Sequence, residues 1–108
     1  MVDVVNDITT NNPVVIFSKV TCPYSVKSKK LITTLGFKFM AIELDERADR
    51  AELEEALNQV TGLDSTPYIF IGGRCIGNNK DIQLMGQQDL LVPALQDANA
   101  YEHGKLQQ

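Results

Sequence analysis

The sequence predicts an α/β fold: a four-stranded mixed sheet flanked by helices, in the order α-β-α-β-α-β-β-α. Three observations carry this. The run Val14-Val15-Ile16-Phe17 is apolar without alternation, as a strand buried on both faces requires. Residues 23–35 and 51–61 place apolar side chains at helical spacing, and each segment is closed by a glycine, Gly36 and Gly62. Gly72-Gly73 turns the apolar run Tyr68–Ile71 back onto Arg74-Cys75-Ile76 as a hairpin.

The elements follow in order. Residues 2–10 carry Val2, Val4, Val5 and Ile8, which predicts an N-terminal helix (1–11) broken by Asn11-Asn12-Pro13. Residues 13–18 form the first strand. Residues 23–35 form a helix with Val26, Leu31, Ile32 and Leu35 inward. Residues 38–44 alternate Phe39, Ala41 and Glu43 against Met40, Ile42 and Leu44, giving a second strand. A strand–helix–strand unit makes these two strands parallel, with a right-handed crossover. Residues 51–61 form a helix with Leu53, Ala56, Leu57 and Val60 on one face. After the hairpin, residues 81–85 and 89–98 read as closing helices. The segment 100–108 is a polar tail expected to be loose.

At 108 residues the chain is read as one domain, 1–108, able to bury a core without covalent staples. Its net charge of −4 gives no basis for nucleic-acid binding. No apolar stretch approaches the ~20 residues that cross a bilayer, so no membrane partner is expected. The first residues carry Asp3 and Asp7, no early Lys or Arg and no long apolar run, unlike a secretory signal. Two cysteines are too few for a disulfide framework, which fits a reducing compartment and a cytoplasmic location. A monomer is expected.

The chemistry concentrates at Cys22-Pro23-Tyr24-Ser25. A strand that ends in a turn and opens a helix points Cys22 at the first free N–H groups of that helix. Those donors and the helix dipole favour thiolate over thiol, lowering a cysteine pKa from ~8.5 to roughly 3.5–7.5. Lys19 adds a nearby cation, and Pro23 suits the first helical turn. A thiolate attacks disulfides, so the segment implies thiol–disulfide exchange. The usual redox pattern is Cys-x-x-Cys; here Ser25 holds the fourth place, leaving one-thiol chemistry. Ser25 reads either as native or as a Cys→Ser change that freezes the exchange intermediate. Gly77-Asn78-Asn79-Lys80-Asp81 is a polar turn opening a helix. Its N–H groups can hold a carboxylate and Asp81 an ammonium group, or it is an ordinary capped helix start.

These segments together resemble the glutaredoxins, glutathione-dependent proteins of thioredoxin-like fold. Residues 17–24, Phe17-Ser18-Lys19-Val20-Thr21-Cys22-Pro23-Tyr24, resemble the active-site run of the family's dithiol Cys-Pro-Tyr-Cys subgroup, with Ser25 at the second cysteine position. Thr66-Pro67 resembles its cis-proline element, although most X–Pro bonds are trans. Gly72-Gly73, Ile76-Gly77 and Asp81 resemble its glycine-rich turn and γ-glutamyl site. The resemblance spans roughly residues 2–98.

It implies that Cys22 attacks or carries the glutathione sulfur and that Lys19 and Gln59 meet the glycine carboxylate. Tyr24 would flank the groove. The Thr66 backbone, followed by cis-Pro67, would pair with the cysteinyl residue. Asn79 and Lys80 would hold the γ-glutamyl carboxylate, with Asp81 near its ammonium. The implied activity is reduction of protein–glutathione mixed disulfides, with glutathione as co-substrate and glutathionylated proteins as partners. The alternative is a dimer carrying a 2Fe–2S cluster ligated by Cys22 and glutathione. Members with Cys-Gly-Phe-Ser favour it, and this chain has proline and tyrosine instead. A third reading is a binder without turnover. No resident metal is expected.

Asp64 stands where many members carry arginine, which should weaken glutathione binding by less than ~1 kcal/mol at a surface position. Cys75 reads as a small buried hydrophobe in a short strand. His103 has no partner at metal-ligand spacing. Lys27, Lys29 and Lys30 read as a solvated helix face, and the acidic run 43–55 as a loop and helix start where acids are favourable.

Overall fold

A computed structural model of the chain describes residues 1–98. The predicted tail and His103 lie outside them. Helix α1 (Val2–Asn11) leads into strand β1 (Val14–Ser18), then α2 (Pro23–Thr34) and β2 (Met40–Glu43). A 3-10 turn (Leu44–Glu46) precedes α3 (Arg50–Thr61), which is followed by β3 (Tyr68–Ile71), β4 (Arg74–Gly77), α4 (Asn79–Gln87) and α5 (Leu91–Asp97). The strands form one sheet ordered β2-β1-β3-β4. β1 and β2 run parallel, with Val15 opposite Met40 and Phe17 opposite Ile42. β1 and β3 run antiparallel, with Phe17 opposite Tyr68, and β3 pairs antiparallel with β4. The mixed sheet and its element order are those the sequence predicts.

All five β1 residues are buried because helices cover both sheet faces. On one face Val14, Ile16, Ile69 and Ile71 pack with Ile32 of α2, Ile82 of α4 and Leu91 and Leu95 of α5. On the other, Val15, Phe17, Tyr68 and Phe70 pack with Val5 of α1 and Leu53, Ala56 and Leu57 of α3. Phe17 and Phe70 meet edge to face, with centroids 5.8 Å apart. The ends of β1 and β3 that lie between these layers fix the position of the loops carrying Cys22 and Pro67.

Two helix faces differ from expectation. In α2 the buried residues are Ser25, Ser28 and Ile32, while Val26 and Leu35 are exposed and Leu31 is half-buried. The inward face is set by where Cys22 must cap the helix, and small hydroxyl side chains allow close approach to β1 and α4. Both serines are hydrogen-bonded, so their burial leaves no polar group unpaired. In α3, Leu53, Ala56 and Leu57 face inward as predicted, but Val60 is exposed near the helix end. Gly62 closes α3 in left-handed conformation at φ 77°. Cys75 corrects another expectation: it is exposed, on the edge strand β4, whose first two residues both face solvent.

Candidate active site

Cys22 is the N-cap of α2, in extended conformation, with Pro23 at the helix start. Its amide donates to the Lys19 carbonyl at 3.0 Å, closing a tight turn after β1. Each residue entering this turn is tethered. The Ser18 hydroxyl donates to Glu43 at 2.7 Å, and Glu43 also takes Lys29 at 2.7 Å. The Lys19 amide donates to Ser25 Oγ at 3.3 Å. The amides of Val20 and Thr21 and the Thr21 hydroxyl donate to the Asp45 carboxylate at 3.1, 3.3 and 3.2 Å.

Asp45 escaped the sequence reading, which took the acidic run 43–55 as a loop and a helix start where acids are favourable. Its signal was position: it follows β2, the parallel neighbour of β1, so it sits beside the turn that leaves β1. Partial desolvation raises its pKa, but the N–H and O–H donors from Val20 and Thr21 outweigh that and hold it below its ordinary 3.8. A carboxyl with a depressed folded-state pKa contributes stability above its unfolded pKa and loses it as pH falls through the folded value. Asp45→Asn therefore lowers the urea midpoint at neutral pH, and the gap to the unmodified chain closes in strong acid. A gap independent of pH would remove the charge from this account.

The Cys22 thiol is half-buried. Desolvation, its largest single influence, raises the pKa. The Thr66 and Ser25 side chains and the Ser25 and Tyr24 amides act the other way and together leave it lowered. Ser25 is fully buried, and its hydroxyl accepts from Lys19 N–H on one side while donating toward the sulfur on the other. The lowering is thus built from hydrogen bonds, the largest from Thr66 before the cis-proline and the rest from Ser25 and Tyr24 at the helix start. Lys19 does not supply it: its ammonium lies 3.1 Å from Glu54.

A groove of about 330 Å³ opens beside the sulfur, within the ordinary range for small-ligand sites. Tyr24, Ser65, Thr66, Pro67, Asn78, Asn79 and Lys80 line it. The Thr66–Pro67 bond is cis, and the Thr66 carbonyl oxygen lies 3.9 Å from Cys22 Sγ. Tyr24 is 59% exposed and stands as a wall, with the Lys27 ammonium 5.7 Å from its ring centre. Asn79 is fixed by Ser28 at 2.8 Å and by Gln83 at 3.1 Å.

The structure thus brings Tyr24, Thr66, Pro67, Asn79 and Lys80 to one groove, with the Cys22 sulfur beside its Thr66 wall. Asp81 does not line it but follows the groove-lining Lys80 in the chain. One Asp81 oxygen accepts from Asn78 N at 2.9 Å while Asn78 Oδ1 accepts from Asp81 N at 3.3 Å, a closed capping box. Its other oxygen has no hydrogen bond among the described residues. Gln59 is not brought to the groove; it borders a separate surface hollow with Met1, Val2, Glu52 and Glu55. It lies five positions after Glu54 on α3, roughly 140° around the helix, and Glu54 is the one that turns toward the Cys22 loop. Beneath this end lies Tyr68, whose hydroxyl is pushed up to about 12 by burial and by the charges of Glu54 and Asp64.

A single activated sulfur at a helix start, facing a cis-proline backbone across a small groove, defines a thiol–disulfide oxidoreductase of thioredoxin-like fold. The family model described as glutaredoxin matches residues 14–76. The chain belongs to the glutaredoxin family. Glutaredoxin-C6 of Oryza sativa subsp. japonica is 44% identical over 88 residues, covering 82% of this chain and 79% of that protein. A glutaredoxin of Vernicia fordii is 40% identical over 94 residues, covering 87% and 90%. Among solved structures, the buckwheat glutaredoxin–glutathione complex superposes with a TM-score of 0.91 at 35% identity, covering 93% of this chain and 91% of that one. The holo form of glutaredoxin C1 from Populus tremula x tremuloides gives 0.88 at 37% identity, covering 90% and 96%.

Proposed function

We propose that the chain reduces protein–glutathione mixed disulfides with glutathione as co-substrate, through Cys22 alone. The observation that carries this is the sulfur itself: half-buried, lowered in pKa and 3.9 Å from the Thr66 carbonyl at the mouth of the groove. The likeness to a glutaredoxin solved with glutathione supports the choice of ligand.

The reaction runs in two exchanges. The Cys22 thiolate attacks the glutathione sulfur of the mixed disulfide; the protein leaves as a thiolate and Cys22 carries the glutathionyl group. A second glutathione thiolate then attacks the glutathionyl sulfur, releasing glutathione disulfide and restoring the Cys22 thiolate. A low pKa makes Cys22 ionised for the first step and a good leaving group for the second. The Thr66 backbone pairs with the cysteinyl residue, and Asn79 and Lys80 receive the γ-glutamyl carboxylate. The same reading places the chain in the cytoplasm as a monomer, with both cysteines reduced. A 2Fe–2S cluster requires two chains and two external thiolates, since Cys22 is the one cysteine beside the groove; no observation favours that reading here.

The test is intact mass after incubation with glutathione disulfide across a pH series. We expect one glutathionyl adduct, retained and mapped to Cys22. Its rate of formation should rise with pH through a midpoint below that of an ordinary cysteine. An adduct on Cys75, or a midpoint at or above the ordinary value, would overturn the assignment.

A further inference from the structure

Two lysines near the site are not equally free to meet an anion. Lys80, which lines the groove, is exposed and forms no ion pair among the described residues. Lys19, in the loop that leads into Cys22, has its ammonium 3.1 Å from Glu54 Oε2, with the side chains only 25% and 33% exposed. The same oxygen takes Arg50 at 3.2 Å. The base of the Lys19 side chain is fixed beside Cys22, because its backbone N–H donates to Ser25 and its carbonyl accepts from Cys22. Asp64, which leads into the groove-lining Ser65 and Thr66, adds a second acid facing Tyr68 from this side.

Building on the proposed function, we infer that Glu54 is a specificity-determining residue. Its carboxylate sits on Lys19 and competes with the terminal carboxylate of an incoming thiol for that cation. An incoming carboxylate must displace Glu54 from Lys19, and in the partly buried setting of this pair solvent and salt screen that competition incompletely. Arg50 moderates the competition by sharing Glu54. The chain therefore grips one anionic end of a γ-glutamyl thiol strongly and the other weakly, and it tolerates thiols whose terminal carboxylate is neutralised.

The test compares glutathione with its C-terminal glycinamide as reductants of a glutathionylated protein. The unmodified chain should show KM values for the two within about twofold of each other. Glu54→Gln should lower the KM for glutathione by about two- to fivefold, leaving that for the amide and the maximal rate unchanged. Arg50→Gln should move the glutathione KM the opposite way, because Glu54 then bears on Lys19 alone. An unmoved or raised glutathione KM in Glu54→Gln, or an equal fall for both thiols, overturns the inference. Absence of glutathione-dependent turnover in the unmodified chain removes the functional reading as well, so the two failures are distinct.

Discussion

Cys22→Ser is expected to reduce glutathione-dependent turnover by roughly a thousandfold or more, to the rate of the uncatalysed exchange. A serine hydroxyl stays protonated at neutral pH and forms no disulfide, so both exchanges lose their nucleophile. The fold should tolerate the change, since the side chains are close in size and the residue is a half-buried N-cap, where serine is favoured. The assay follows release of glutathione from a glutathionylated protein, coupled to a reductase, with urea unfolding as the control for stability. Persistent turnover would move the chemistry to Cys75, the other cysteine, whose thiol is pushed up by desolvation, against a lowering by the Gly77 amide, with a smaller push up from the Asp81 charge. A raised pKa and a place on the edge strand make it a poor nucleophile, so that outcome would contradict the electrostatics of both thiols.

The largest stability effect outside the core is expected at Gly77. Its φ is +127°, a region that side chains rarely adopt, and an added Cβ would run into the Asp81 carboxylate. Gly77→Ala therefore strains the backbone and pushes Asp81 out of the capping box it closes with Asn78. The combined cost should be about 2–3 kcal/mol, a fall in Tm of ~10–20 °C for a domain of this size. Asn78, Asn79 and Lys80 line the groove, so the KM for glutathione should rise as well. Gly62→Ala is the comparison. Gly62 is also left-handed, at φ +77°, but has nothing within 4 Å of an added Cβ. It should cost only about 1 kcal/mol and leave the KM alone. Equal effects at the two glycines would show that the Asp81 contact contributes nothing.

The order of elements was legible because β1 is apolar throughout and α3 keeps its apolar spacing up to Gly62. Cys22 was legible because a strand exit, a proline and a helix start coincide there. The inward face of α2 was not, because hydrophobic patterning selects Val26 and Leu35 whereas the fold buries Ser25 and Ser28, whose polarity is absorbed by Lys19 N–H and Asn79. The two carboxylates that shape the site, Asp45 and Glu54, were hidden in an acidic stretch. Their partners lie 25 and 35 positions earlier in the chain, and only the parallel crossover brings them together. Gln59 was paired with Lys19 by the family resemblance. Helical phase turns Glu54 onto Lys19 instead, and a carboxylate in place of an amide adds a negative charge there.

Ser25 points inward, wholly enclosed, with its oxygen tied to the loop that precedes the sulfur. In the proposed reaction no internal group discharges a loaded Cys22, so discharge is a second-order event whose half-time scales inversely with the surrounding concentration of reduced thiol. A dithiol site would empty at a rate indifferent to that concentration. The fraction of molecules found loaded is then a readout of the ambient thiol pool.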